Sequence, residues 1–127
     1  MLLLILLVLF YVVVDQKSII LNVDELLADY KKNTNTANNK YLNKHIELAG
    51  KVQSYYKFED GNNLLQLQTE KDLLEIYCIL MNKELKDKAI TLTTGSKVTI
   101  YGKCLGFNPS KKMKFPNSIY IETENLK

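Results

Sequence analysis

The rhythm of apolar positions divides the chain. Residues 1–14, MLLLILLVLFYVVV, carry no charge. As a helix that run would be about 21 Å long at 1.5 Å per residue, short of the roughly 30 Å core of a bilayer. A secretory signal would fit the length, but no Lys or Arg precedes the run and no small-residue cleavage site follows it. Lipid attachment lacks its residue, because the first cysteine is Cys78. Ile19, Ile20 and Leu21 can lengthen the segment if Asp15 and Lys17 snorkel toward the interface. A start codon placed too late would also explain the missing basic flank. The alternative is a core helix or strand, since Val12 to Val14 suit a strand. Left in water, though, such a run is a large sticky patch. The expectation is therefore an N-terminal membrane helix over residues 1–14, an uncleaved anchor in preference to a cleaved signal.

Asp15 to Leu21 reads as a short juncture. A helix then starts at Asn22, with Glu25 three residues on as in a capping box, and Val23, Leu26, Leu27 and Tyr30 on one apolar face. The polar run Asn33 to Asn39 breaks that pattern, and a short helical turn through Ala37 to Leu42 follows. From His45 the period changes to two. Ile46, Leu48, Gly50, Val52 and Tyr56 share one parity, while His45, Glu47, Lys51, Gln53 and Tyr55 take the other, with Gly50 where the strand must bend or bulge. Glu59 to Asn63 (EDGNN) is a hairpin turn. Leu64 to Thr69 returns with Leu65 and Leu67 inward, and Glu75 to Leu80 forms a third strand with Ile76, Cys78 and Leu80 inward. Met81, Leu85, Ala89 and Leu92 then recur at helical spacing, ending at Thr94-Gly95. Val98, Ile100, Gly102 and Cys104 alternate on a fourth strand, and Ile119 and Ile121 on a fifth.

Five strands with a helix between the third and fourth is the order of an OB-fold, a small, partly open Greek-key barrel. A long, glycine-bent first strand suits that fold, where it serves both sheets. The expected class is mainly β: a five-stranded OB-fold barrel with a helix before its first strand. The division is residues 1–21 for anchor and juncture and 22–127 for the barrel domain, one domain of common size.

Composition adjusts this picture. All 17 basic residues are Lys, set against 14 acids. From Asn22 onward there are 16 Lys and 13 acids, and Lys111, Lys112 and Lys114 in the loop Leu105 to Asn117 account for the whole excess. The rest of the domain is neutral, so nothing extends a basic track toward nucleic acid. The lack of Arg removes the planar fork suited to phosphate, although the chain's Asn and Ile richness makes a coding bias the weightier reason.

The runs Asp24-Glu25-Leu26-Leu27-Ala28-Asp29-Tyr30, Ala37 to Lys44 and Ile46-Glu47-Leu48-Ala49-Gly50-Lys51-Val52, with Gly95 to Cys104 and Gly106, resemble the tRNA_anti-like family. The resemblance runs from about Val23 to the C-terminus. It implies a small bacterial OB-fold domain behind an N-terminal hydrophobic segment, akin in fold to anticodon-binding domains, and it brings no catalytic residues. The family's last strand often ends near a cysteine. Glu122 to Leu126 has none, so a disulfide from Cys104 to that strand is not available.

Chemistry is sparse. Cys78 and Cys104 fall on inward parities and read first as small core hydrophobes; a disulfide between them needs strands three and four to be neighbours, which an OB barrel does not provide. His45 starts a strand on the polar side. There is no phosphate loop, paired metal-ligand spacing or nucleophile elbow. The expectation is a non-enzyme without metal or cofactor. The candidate binding residues are Lys51, Gln53, Tyr55, Gln66, Gln68, Tyr77, Lys111, Lys112 and Lys114, on the outer parity and in the late loop. That face of strands two and three, with the loops after the first and fourth strands, is where OB-folds bind. Exposed Tyr55 and Tyr77 could stack bases, or could simply suit a strand and pack on the N-terminal helix. The functional expectation is a membrane-anchored, extracytoplasmic module, N-in and C-out, for an unknown protein, glycan or small ligand. A single-stranded nucleic-acid binder of anticodon-binding type is the alternative, and a structural envelope protein a third.

Overall fold

The computed structural model describes residues 17–70, 74–110 and 113–127. The apolar run of residues 1–14, and with it the expected membrane helix, lies outside them. Among the described residues no helix is long and apolar enough to cross a membrane.

Among the described residues, six strands and three helices follow one another in the order β1 (Ile19–Asn22), α1 (Val23–Lys32), α2 (Thr34–Tyr41), β2 (His45–Lys57), β3 (Asn63–Leu67), β4 (Glu75–Leu80), α3 (Lys83–Ile90), β5 (Lys97–Phe107) and β6 (Ser118–Leu126). The sheet runs β1-β2-β3-β4-β6-β5, and β5 pairs back onto β2 to close a five-stranded barrel. The closing pairs are antiparallel except β4 with β6, which is parallel. The expected OB-fold is therefore present, with α3 between its third and fourth strands.

β1 is an addition. Ile19–Asn22, expected as juncture, lies parallel to Ile46–Ala49. Those same residues also pair with β5, so β1 takes the other edge of β2. Three β-formers in a row find a free edge, and Leu21 is buried there. At Asn22 the chain turns into α1: the Asn22 side chain accepts the Glu25 amide at 2.9 Å and the Glu25 carboxylate accepts the Asn22 amide at 3.4 Å. Val23, Leu26, Leu27 and Tyr30 are buried as expected. The polar run after Tyr30 is a helix start rather than a break, because Asn33 caps Thr36 at 2.9 Å and α2 begins at Thr34. Tyr41 donates to Asp29, and Lys40 reaches the same carboxylate at 3.2 Å, joining α2 to α1.

The inner face is one apolar cluster. Ile46, Leu48, Val52, Leu65, Leu67, Ile76, Cys78, Leu80, Val98, Ile100, Cys104, Ile119 and Ile121 are all buried in it. Cys78 and Cys104 are free thiols. Both pair with Ile121 from opposite sides of β6, which holds them two strands apart. Gly102 is needed on the inner side of β5: a Cβ there would come within 2.3 Å of the Glu122 carbonyl oxygen. Gly50 serves close approach as well, since a Cβ would meet Val23 Cγ2 at 2.7 Å, while the register irregularity of β2 falls later, between Val52 and Ser54. Met81 is the exception to the helical reading. It precedes α3 and is 55% exposed, whereas Leu85 and Ala89 are buried.

Candidate binding face

The irregularity at Val52/Ser54 decides which aromatic rings face outward. Val52 is opposite Leu67, but Tyr55, three positions later, is opposite Leu65 on the same inner parity. A bulge contributes one unpaired residue and flips every later side chain. Tyr55 therefore packs on the barrel core, and its hydroxyl accepts from Asn63. Tyr56 is the ring that faces out. The expected parities of Tyr55 and Tyr56 are both corrected.

Outside the barrel, β3, β4 and β6 carry a second apolar cluster. Leu64, Tyr77 and Tyr120 are buried in it, and Tyr56, Phe58, Ile79, Leu105, Met113 and Phe115 pack against them. Tyr77 does lie on the outer face, opposite Gln66, yet it is only 4% exposed. Phe115 stacks on it with ring centroids 4.5 Å apart and planes 12° from parallel. Tyr56 meets Phe115 at 5.2 Å and Tyr120 meets Tyr77 at 5.7 Å. Burial pushes the Tyr77 hydroxyl up to about 12, with Tyr56 and Glu75 nearby adding to the shift.

The segment between β5 and β6 covers this face. The Tyr120 hydroxyl donates to the Phe115 carbonyl at 2.9 Å and accepts the Phe115 amide at 3.0 Å. Lys114 pairs with Asp60 at 2.9 Å and lies 4.8 Å from the centre of the Phe58 ring. The loop after β2 and the segment before β6 are thereby tied together. The Lys114 ammonium holds the Asp60 carboxyl below its usual range. Polar groups on the same face also satisfy each other: Tyr56 donates to Gln66 at 3.2 Å, and Gln66 donates to Glu75 at 3.0 Å.

Of the expected site residues, Gln66, Tyr77 and Lys114 come together here. Gln53 is exposed at the bulge, and its carbonyl accepts from Thr94 at 3.0 Å. Lys51 and Gln68 lie away from the rings, along a shallow cleft with Val23, Asp24 and Glu70. Lys111 and Lys112 fall outside the described residues. Sequence reasoning missed Tyr56, Phe58, Met113, Phe115 and Tyr120. Two signals were available: Ile119-Tyr120-Ile121 is apolar on both parities, as in a strand covered on both sides, and Met113 and Phe115 alternate with the lysines of a supposedly solvated loop. Among the described residues no cluster of His, Cys, Asp and Glu could hold a metal.

A family model described as tRNA_anti-like matches residues 2–117. The chain belongs to the tRNA_anti-like family. No curated protein matches. Among solved structures, a candidate nucleic acid-binding lipoprotein of Klebsiella pneumoniae subsp. pneumoniae shares 16% identity, with 87% of this chain on 90% of that one and a TM-score of 0.58. Asparaginyl-tRNA synthetase of Entamoeba histolytica shares 13%, with 88% of this chain on 24% of the enzyme and a TM-score of 0.57. Asparaginyl-tRNA synthetase of Pyrococcus horikoshii shares 18%, with 69% of this chain on 19% of that one and a TM-score of 0.50. This chain thus spans about a fifth to a quarter of those synthetases' length. At such identities the likeness is one of fold, and the family's OB-fold is a binding domain.

Proposed function

We propose that the chain is a non-catalytic OB-fold binding module, held at a membrane by residues 1–14 with its barrel on the extracytoplasmic side. Its partner is a protein, glycan or small ligand rather than nucleic acid. The observation that carries this reading is the Phe115 ring stacked on Tyr77 at 4.5 Å. Single strands bind OB-folds by stacking bases on exposed rings along a basic groove. Here the ring that would take a base already holds a ring of the same chain, and the nearby Lys114 is paired with Asp60. The Klebsiella relative supports the membrane side of the reading, since it is named a lipoprotein and matches over nearly its whole length.

The nucleic-acid reading keeps one specific support, the family match together with the naming of that same relative as a candidate nucleic acid-binder. A titration separates the two. Full-length protein in nonionic detergent, mixed with fluorescent mixed-sequence single strands at low salt, should show no binding up to about 100 μM. Binding that Tyr77→Ala weakens by about 1–3 kcal/mol would overturn the proposal in favour of base stacking. A reporter fused after Lys127 addresses location: a reporter active only in the cytoplasm should stay silent, and its activity would defeat the extracytoplasmic placement.

A further inference from the structure

Also on the outside of the barrel, the end pair of the β2–β5 ladder holds an arrangement that a free-standing fold would avoid. Lys51 and Lys97 are direct cross-strand partners. Opposite residues on one sheet face sit about 5 Å apart at Cβ, and like charges there are destabilising. Lys127 joins them from the next strand over, where its amide and carbonyl bond to Thr99 at 3.0 and 2.9 Å. Its ammonium lies 5.5 Å from the centre of the Tyr101 ring. The three lysines border one groove of about 430 Å³, floored by Ala49, Gly50, Val98 and Thr99. Ala49 and Thr99, the next cross-strand pair on this face, carry small side chains, so the floor is low beside the two charged stems. Among the described residues no Asp or Glu side chain lines the groove. On this face of the two strands the first acid is Glu47, one pair beyond Ala49 and Thr99 and opposite Tyr101. Asp24 and Glu70 border the neighbouring cleft that Lys51 also touches. None of the three lysines forms an ion pair with another described residue.

We propose that Lys51, Lys97 and Lys127 form an anion site that takes a phosphate group on the outer face of β2 and β5. A dianionic group above Gly50 gives both facing lysines a counter-charge and converts their repulsion into a clamp. Each ammonium supplies donors on a flexible stem, which suits a point-like phosphate rather than a planar fork-and-fork geometry. The Thr99 hydroxyl and the Tyr101 ring are polar and aromatic neighbours for whatever carries the phosphate. The site shares no residue with the Tyr77 face and does not depend on the function proposed for that face.

The test uses the full-length protein in nonionic detergent. Inorganic pyrophosphate should raise the melting temperature more than chloride at equal ionic strength. Lys97→Gln and Lys127→Gln should each weaken pyrophosphate binding by about fivefold or more, as loss of a charge-assisted hydrogen bond does. Lys83→Gln, an equal charge change on α3, should leave binding unchanged. Lys97→Gln in chloride should melt no lower than the parent, because removing one of two facing like charges relieves strain; that readout separates an anion site from a merely structural lysine. For the source of the phosphate, the protein is placed in vesicles of phosphatidylglycerol or of phosphatidylcholine, and lysine acetylation is mapped by mass spectrometry. Protection of Lys51, Lys97 and Lys127 relative to Lys83 in phosphatidylglycerol alone identifies a lipid headgroup. Protection only when pyrophosphate is added identifies a soluble phosphate. Equal pyrophosphate effects on the parent and Lys97→Gln, with no protection in either vesicle, would overturn the proposal.

Discussion

The two apolar clusters lie on opposite sides of the same strands, and they are built differently. Inside the barrel, aliphatic side chains from all five strands meet, and the chain has only to alternate for the core to assemble. Outside, aromatic rings from β2, β4 and β6 gather with Leu64 of β3 under a segment that is not a strand at all. Tyr77 and Cys78 show the contrast at its sharpest, being neighbours in sequence with one in each cluster. The inner cluster follows from the period of the strands. The outer one follows from where a loop happens to return. A barrel can keep its fold while the loop over its outer face changes, which is how one architecture comes to serve many ligands.

The largest test of this contrast is on the inner side. Val52→Asp places a charge among Leu67 and its neighbours at a position 2% exposed, with no partner. It should cost about 3 kcal/mol or more in equilibrium urea unfolding. A cost under about 1 kcal/mol would mean that Val52 faces outward and that the bulge lies before it.

That residue also marks how far the sequence can be read. The parity of β2 holds from Ile46 to Val52, then fails, because a bulge leaves no imprint on an alternation of Gln53, Ser54, Tyr55 and Tyr56, in which either tyrosine could be the inner one. Gly50 drew attention as the place for a bend, but its small size answers to Val23 packing above it. The capping box at Asn22 and Glu25 was legible because both partners lie within one turn. The cover over Tyr77 was not, because it needs Phe115 to cross from a loop nearly forty residues away in sequence. Strand β1 was hidden in the same way: Ile19 to Leu21 look alike as the tail of an apolar segment or as an edge strand, and only the free edge of β2 decides.

A middle-sized test strikes the outer cluster alone. Phe115→Ala removes the ring stacked on Tyr77 and leaves the strands intact. Phe115 is only partly buried, so the loss should be about 2 kcal/mol, below the roughly 3–5 kcal/mol of a fully buried Phe. The barrel should remain folded by far-UV circular dichroism while the Tyr77 environment becomes exposed in near-UV spectra. If Phe115→Ala instead unfolds the barrel outright, the two clusters are one cooperative core and the distinction drawn above fails.

The smallest effect at neutral pH, and the one that separates the clusters by chemistry, comes from Tyr77 and Cys78 themselves. Burial pushes both groups up to about 12, from ordinary values of 10.0 and 9.0. In each case the folded chain favours the neutral form. The stabilising contribution is therefore complete below the unfolded value, which is about pH 9 for the thiol and about pH 10 for the phenol. It is lost as pH rises toward 12, because the unfolded chain ionises first and binds fewer protons than the folded one. Tyr77→Phe keeps the ring, and no hydrogen bond joins the Tyr77 hydroxyl to another described residue, so stability at pH 7 should change by less than about 1 kcal/mol. Between pH 10 and 12 the same variant should lose less stability than the parent. Cys78→Ala should flatten the fall from a lower pH, at a neutral-pH cost set by the small cavity it leaves. Urea titrations at pH 7, 9.5 and 11 read both slopes. Parallel pH profiles for the parent and Tyr77→Phe would show that the phenol is solvated, and therefore that the ring cover over the outer face is open in solution.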